Sequence, residues 1–369
     1  MKLNIWFRVD AATWIGIGHV MRCLTLADAM RKLGHSCQFI SRSHAGNLIA
    51  HIRSKGYAVT QLPGIDRVLS GATAGSVQPD HSSWLGCHWS EDAAQSQAAL
   101  GDSSVDWLII DHYALDSRWE SELKAVCGRV MVIDDLADRS HDCDLLLDQT
   151  IGRRPADYLP WLKKGSEVLC GSQYALLRPE FARLRSSSLL RRRTDDIRHV
   201  LITMGGVDQH NATGQVLNAL NCTGFPQDGR ITVVMGATAP WLAEVRQQAG
   251  QLAMSVEVRT DVIDMAELMA VSDLAIGAAG ATSWERCCLG LPAIMVVLAA
   301  NQTGVAAGLK EVGAAEIIED TLQIGARLPR LIETLLASPE RCREMSQRAA
   351  TVADGCGAGR VAQRLEALI

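Results

Sequence analysis

Two short segments of this chain combine glycines with histidine or acidic residues at spacings that suit an anionic ligand. The first is Trp14-Ile15-Gly16-Ile17-Gly18-His19-Val20-Met21-Arg22, set between an apolar run at 3–9 and a helix-spaced stretch at 20–33. Glycines at 16 and 18 let backbone approach a ligand closely, and a helix starting beside them offers free N–H groups and a positive dipole end. That end disfavours imidazolium, so His19 is expected as a neutral imidazole able to accept a proton near pH 7. A dinucleotide fingerprint GxGxxG would need glycine at 21, where Met21 stands, and GxxxxGK(S/T) is absent. NAD binding and a P-loop NTPase are therefore disfavoured.

The second segment is Gly277-Ala278-Ala279-Gly280-Ala281-Thr282-Ser283-Trp284-Glu285-Arg286, followed by Gly290-Leu291-Pro292 and by Asn301-Gln302. An apolar run enters a loop of small residues that opens a helix. Gly280, Thr282 and Ser283 can present N–H and hydroxyl donors to phosphate oxygens. Glu285, in the first turns, can accept two hydrogen bonds from a ribose diol; its alternative role is to complement the helix dipole. A third loop, Met204-Gly205-Gly206-Val207-Asp208 with Asn211 and Gly214 after it, is a further candidate phosphate or sugar contact.

Elements that could position these loops follow from the pattern of apolar residues. Runs at 3–9, 37–41, 107–111, 130–134 and 145–147 are too short for helices and too continuous for half-exposed strands, so they suit parallel strands covered on both faces. Between the first two, Val20, Leu24, Ala27 and Met30 share one helix face and Gly34 marks a stop. The alternation restarts after 198 with HVLITMGG, ITVVMG, LAIGA and AIMVVL. The expected fold is α/β: two Rossmann-like domains with parallel sheets facing across a cleft. The expected boundaries are 1–182 for an N-terminal domain carrying the histidine loop, 183–198 for a linker, and 199–369 for a C-terminal domain. The last helix could pack back on the first domain. The linker stretch holds six arginines and three serines without strand period, which reads as a solvated connection, with an anion-binding arm as the alternative.

Composition excludes other classes. At 369 residues, 48% hydrophobic and 21% charged, the chain is an ordinary globular one, long enough for two cores. The apolar run at 291–300 is well short of the roughly 20 residues of a membrane span. The first residues turn polar at once, without a signal-peptide pattern, and the net charge of −5 shows no bias toward nucleic acid. Eleven cysteines without a CxxC pair suit reduced thiols and a cytoplasmic location. Stable protein partners are not indicated.

GIGHVMRC, DHYALD, IDDLADR, CDLLLDQ, YALLRPEF, MGGVDQHNATG, and GATSWERCCLGLP with NQ occur in that order along nearly the whole chain. Together they resemble the UDP-2,4-diacetamido-2,4,6-trideoxy-β-L-altropyranose hydrolases of pseudaminic acid biosynthesis, a pathway that serves flagellin glycosylation. Single motifs are shared with related GT-B transferases, including the N-acetylglucosaminyltransferase of peptidoglycan synthesis. The resemblance implies that His19 is the base activating water, that Tyr113 lies near the sugar, that Glu285 binds ribose, and that Asn301 of the NQ pair, with Gln302, contacts substrate. It implies a GT-B-like fold whose C-terminal domain, 199–369, binds UDP, and hydrolysis of a UDP-linked diacetamido-trideoxy sugar with inversion and no cofactor. Ile17 between the glycines and Ala300 before Asn301 depart from the smaller and the more polar residue expected there.

A departing UDP needs its growing negative charge stabilised. Asp142-Cys143-Asp144 has the spelling of a divalent-metal motif, but the resemblance places it in the scaffold, and backbone donors of the glycine loops offer a metal-free route. His81, Cys87 and His88 match no zinc spacing. Cys287 and Cys288 suit core positions, and Asp134 and Asp135 suit a cap or turn after a strand. Sugar transfer to an acceptor hydroxyl is the main rival function. UDP-N-acetylglucosamine 2-epimerisation and non-catalytic sensing of a nucleotide sugar are weaker rivals.

Overall fold

The computed structural model describes residues 1–65, 79–192 and 196–369, which divide into two compact units. The first comprises Met1–Leu176 together with Ala358–Ile369, the second Leu177–Gly357.

In the first unit, strands β1 (Asn4–Val9), β2 (Ser36–Arg42), β3 (Ala58–Leu62), β4 (Trp107–Asp111), β5 (Arg129–Ile133), β6 (Leu145–Asp148) and β7 (Glu167–Cys170) form one parallel sheet. Their order is β3-β2-β1-β4-β5-β6-β7. Chain leaving β1 goes to one side of the sheet and chain leaving β4 to the other, so their carboxyl ends form a topological switch point, where open α/β folds take ligands. Helix Gly18–Lys32 covers one face with Val20, Leu24, Ala27 and Met30 buried, and Gly34 turns the chain away at φ +94°. Helix Gly357–Ala367 adds Val361, Ala362 and Leu365 to the same core. There Trp107 Nε1 donates to the Leu365 carbonyl at 3.3 Å, and Arg364 pairs with Glu167.

The second unit repeats the plan with β8 (His199–Thr203), β9 (Arg230–Val234), β10 (Ser255–Arg259), β11 (Leu274–Ala278), β12 (Ala293–Val296) and β13 (Ala315–Ile318). The order is β10-β9-β8-β11-β12-β13, all parallel, with Thr203 paired in register with Gly277. Its switch point lies between β8 and β11. Both units are thus parallel-sheet α/β domains.

The arginine-rich stretch departs from a solvated linker. Residues 183–191 lie in helix Pro179–Arg191, and 193–195 fall outside the described residues. Arg185 donates to the carbonyls of Cys288, Ala350 and Ala353, and Arg192 to those of Met269, Ser272 and Leu289. Carbonyls at helix ends have no intrahelical partner, and a guanidinium satisfies several at once. Two of these charges are therefore directed at backbone within the second unit, while Arg183 and Arg191 pair with Glu267 and Asp273. Among the described residues no helix is long and apolar enough to cross a membrane.

Candidate active site

In the first unit both halves of the switch point carry polar residues. Below the loop, Asp10 follows β1 and accepts from Arg8 Nη1 and the Arg42 amide, both at 2.7 Å. Asp92 receives Arg8, Arg42 and Trp119 Nε1, so three buried ion pairs pin the root of the glycine loop. Gly16 adopts φ +83°, a conformation that strains a side chain, and its amide closes the turn on the Ala12 carbonyl at 2.8 Å. Gly18 opens the helix, and Ile17 is 52% exposed on the loop.

His19 lies in the first turn of that helix and is 9% exposed. Its Nδ1 is 2.6 Å from Asp111 Oδ1 at the end of β4. Arg22, one turn further, donates to the same carboxylate through Nε at 2.6 Å and Nη2 at 2.7 Å. Burial alone would raise the Asp111 carboxyl, but Arg22 and then His19 outweigh it and hold it far below the usual carboxylate range. An ionised carboxylate can only accept, so the proton of the short bond resides on Nδ1, and a neutral His19 carries its lone pair on Nε2. Asp111 thereby fixes the tautomer that can take up a proton.

Tyr113, two residues on, meets the His19 ring edge-on at 4.7 Å between centroids, and its hydroxyl donates to Asp135 Oδ2 at 3.0 Å. The same oxygen accepts from Arg22 Nη1 at 2.5 Å. Burial, followed by Asp135, pushes the phenol up, so Tyr113 stays a donor. Trp84 and His81 stand beside this group, with ring centroids 5.8 and 5.4 Å from that of Tyr113. His19 and Tyr113 are thus brought together. Asp111, Arg22, Asp135 and Trp84 join them, although sequence reasoning gave none of these a site role. Asp111 and Tyr113 share the segment DHYALD, which was the signal available.

In the second unit, the loop after β8 carries Gly205 at φ +90° and Gly206, whose carbonyl receives the Gly236 amide at 3.1 Å. Asp208 accepts from the amides of Ala212 and Thr213, and Asn211 caps helix Ala212–Leu220 through the Gly214 amide. After β11, the amides of Gly280, Ala281 and Thr282 meet no acceptor among the described residues. Thr282 Oγ1 accepts from Arg286 Nη2 at 2.8 Å. Ser283 is fully buried, with its hydroxyl directed at Met295 Sδ, so it does not share the open side of the loop with Thr282. The Glu285 carboxyl is 17% exposed, 3.7 Å from Arg178, and burial pushes it up. Gln302 lies over Gly280, its Oε1 receiving the Leu298 amide, and Asn301 is exposed beside it.

Other candidates have structural partners. Asp142 accepts from Lys124, Lys163 and Ser121, and Asp144 from the Val130 amide, with the Lys124 ammonium also 3.9 Å from Asp144, so the cation these two carboxylates share is a lysine of this chain. Among the described residues no group of three or more His, Cys, Asp or Glu is placed to hold a metal. His88 caps helix Trp89–Leu100. Burial raises the Cys287 thiol to about 12 and that of Cys288 to about 11. Asp134 caps the turn at Leu136 and Ala137 as expected, whereas Asp135 turns toward Arg22 and Tyr113.

The family model described as the glycosyltransferase family 28 C-terminal domain matches residues 168–357, just over half of the chain. The chain belongs to this family. The family 28 segment contains both second-unit loops. The chain is similar to the UDP-2,4-diacetamido-2,4,6-trideoxy-beta-L-altropyranose hydrolase of Campylobacter jejuni, 25% identical over 84% of this chain and 97% of that protein. It is 23% identical, over 80% of its length, to an uncharacterised protein of Methanocaldococcus jannaschii, of which it spans 55%. The crystal structure of MurG from Acinetobacter baumannii superposes over 100% of both chains, with a TM-score of 0.68 at 16% identity, which places the fold among GT-B-like proteins.

Proposed function

We propose that this chain hydrolyses UDP-2,4-diacetamido-2,4,6-trideoxy-β-L-altropyranose to UDP and the free sugar, with inversion and without a metal ion. Water oxygen attacks the anomeric carbon, its proton passes to His19 Nε2, and the C1–O bond breaks with its electron pair going to the β-phosphate oxygen of UDP. The observation that carries the reading is the 2.6 Å contact between His19 Nδ1 and Asp111, which leaves Nε2 as the acceptor. Gly16 and Gly18 present bare backbone beside it, and Tyr113 lies near the sugar. Amides around Gly205, Gly206 and Gly280, with the Thr282 hydroxyl, stabilise the leaving diphosphate. Glu285 accepts from the ribose, and Asn301 and Gln302 complete the donor side. The Campylobacter relative, matched over 97% of its length, supports the substrate class. On this reading the protein acts in the cytoplasm, in pseudaminic acid synthesis.

The family description favours a second reading, transfer of the sugar to an acceptor hydroxyl. Incubation with UDP-sugars in ¹⁸O-water separates the two. Label in released sugar is the expected result, and His19→Asn should abolish it while preserving the fold. Label in UDP, or release only with an added acceptor, would overturn hydrolysis at carbon.

A further inference from the structure

Arg286 is fully buried, and no step of the proposed hydrolysis uses it. Its Nη2 donates to the Ala278 carbonyl at 2.9 Å and to Thr282 Oγ1 at 2.8 Å. Its Nε and Nη1 are buried without an acceptor. Among the described residues it forms no ion pair, and Glu285, its neighbour in sequence, faces Arg178 instead. The guanidinium lies against Gly277: a methyl group there would stand 2.9 Å from Nη2 and 2.4 Å from the Thr203 carbonyl. Gly277 and Thr203 are the register partners at the ends of β11 and β8, so the cation sits at the switch point, beneath the loops at 204–206 and 279–281.

A buried cation with spare donors and no ion-pair partner is costly in a free protein. Burial lowers this guanidinium only to about 10, so it remains charged at neutral pH. A counter-charge arriving with a ligand would compensate it, and a neutral ligand would not. Thr282 adds direction. With its oxygen accepting from a charged donor, its own O–H is left to donate elsewhere.

We infer that Arg286 is a positioning residue for the diphosphate of a nucleoside diphosphate: it supplies the uncompensated positive charge under the loops and aims the Thr282 hydroxyl at a phosphate oxygen. The inference rests on the reading that this unit holds the UDP part of the substrate. A purely structural Arg286 would affect uridine and UDP alike.

The test is calorimetric titration of the full chain with UDP, uridine and pyrophosphate, in wild type, Arg286→Met, Arg286→Lys and Thr282→Val. Loss of a charge-assisted contact predicts UDP binding weakened about tenfold to a hundredfold in Arg286→Met, with uridine binding held within about twofold. Arg286→Lys keeps the charge and should recover part of the loss, and the salt dependence of UDP binding should flatten in Arg286→Met. Thr282→Val, at a partly exposed position, should lower the UDP-to-uridine ratio even if Arg286→Met does not fold. Equal losses for uridine and UDP, or an unchanged ratio in Thr282→Val, would overturn the inference. Wild type that binds UDP but releases no free sugar from UDP-sugars defeats the hydrolytic reading alone. Wild type that binds UDP no more tightly than uridine defeats the Arg286 inference whatever the hydrolysis result.

Discussion

Replacing Asp111 by asparagine removes one charge while keeping the shape of the side chain. Asp111 is fully buried and receives His19 Nδ1 at 2.6 Å and two arms of Arg22 at 2.6 and 2.7 Å. An amide has one acceptor oxygen and one NH₂ group. Arg22 Nε donates to Oδ2, whereas Arg22 Nη2 and His19 Nδ1 share Oδ1; the orientation that keeps the amide oxygen on Nε sets the NH₂ against His19 Nδ1, which must then accept. The proton moves to Nε2, and the imidazole loses its lone pair on the reacting side. A comparable asparagine substitution behind the histidine of a serine protease lowers turnover about 10⁴-fold, and a loss of that order is expected here. Half-breaking a buried ion pair costs about 3–5 kcal/mol. Arg22 keeps Asp135, which places the expectation near the lower end, about 3 kcal/mol. UDP release from the UDP-sugar, measured beside urea denaturation followed by tryptophan fluorescence, reads both quantities. A folded Asp111→Asn protein turning over within about tenfold of wild type, under 1.4 kcal/mol of barrier, would refute the tautomer argument.

Activity is expected to persist in EDTA; complete loss restored by magnesium would return Asp142 and Asp144 to consideration. Asp148 is raised to about 6 by burial and then by Asp135, against about 4 in an unfolded chain. Between those values the folded state holds a proton the unfolded state has lost, so stability should fall as pH rises from about 4 to 6 and level off above. Urea midpoints for Asp148→Asn should lack that fall, and an unchanged slope would place the proton elsewhere. Gly277→Ala forces a methyl group to 2.4 Å from the Thr203 carbonyl and should lower stability by about 1–3 kcal/mol in a thermal melt.

The strands that the sequence pattern revealed and those it hid differ in one physical respect. β1, β2, β4, β5, β6, β8, β9, β11 and β12 are interior to their sheets and read as apolar runs. β3, β7, β10 and β13, absent from the sequence reading, are the four sheet edges. Edges such as Ser255–Arg259, with Glu257 and Arg259, carry polar side chains that limit further pairing, which erases the apolar signal. The glycine loops and His19 were legible because a strand–glycine–helix junction is a local pattern. Asp111 and Asp135 were not, since their partners lie on β-strand ends and a helix far away in sequence. Arg22 stood in the quoted loop, yet its two carboxylates could only be found in space. The arginines at 183–192 misled for the same reason: charge in a sequence does not distinguish water from carbonyl oxygen as its partner.

The first unit is assembled from two stretches of chain, Met1–Leu176 and Ala358–Ile369, separated by the whole of the second. During synthesis its sheet emerges early but lacks the cover that Val361, Ala362 and Leu365 bring to the core containing Trp107. The unit made later can therefore mature before the earlier one is sealed. Removing 358–369 should leave the second unit intact while exposing apolar surface on the histidine-bearing one. Such a truncated chain would become a client for chaperones through the half that had been translated first.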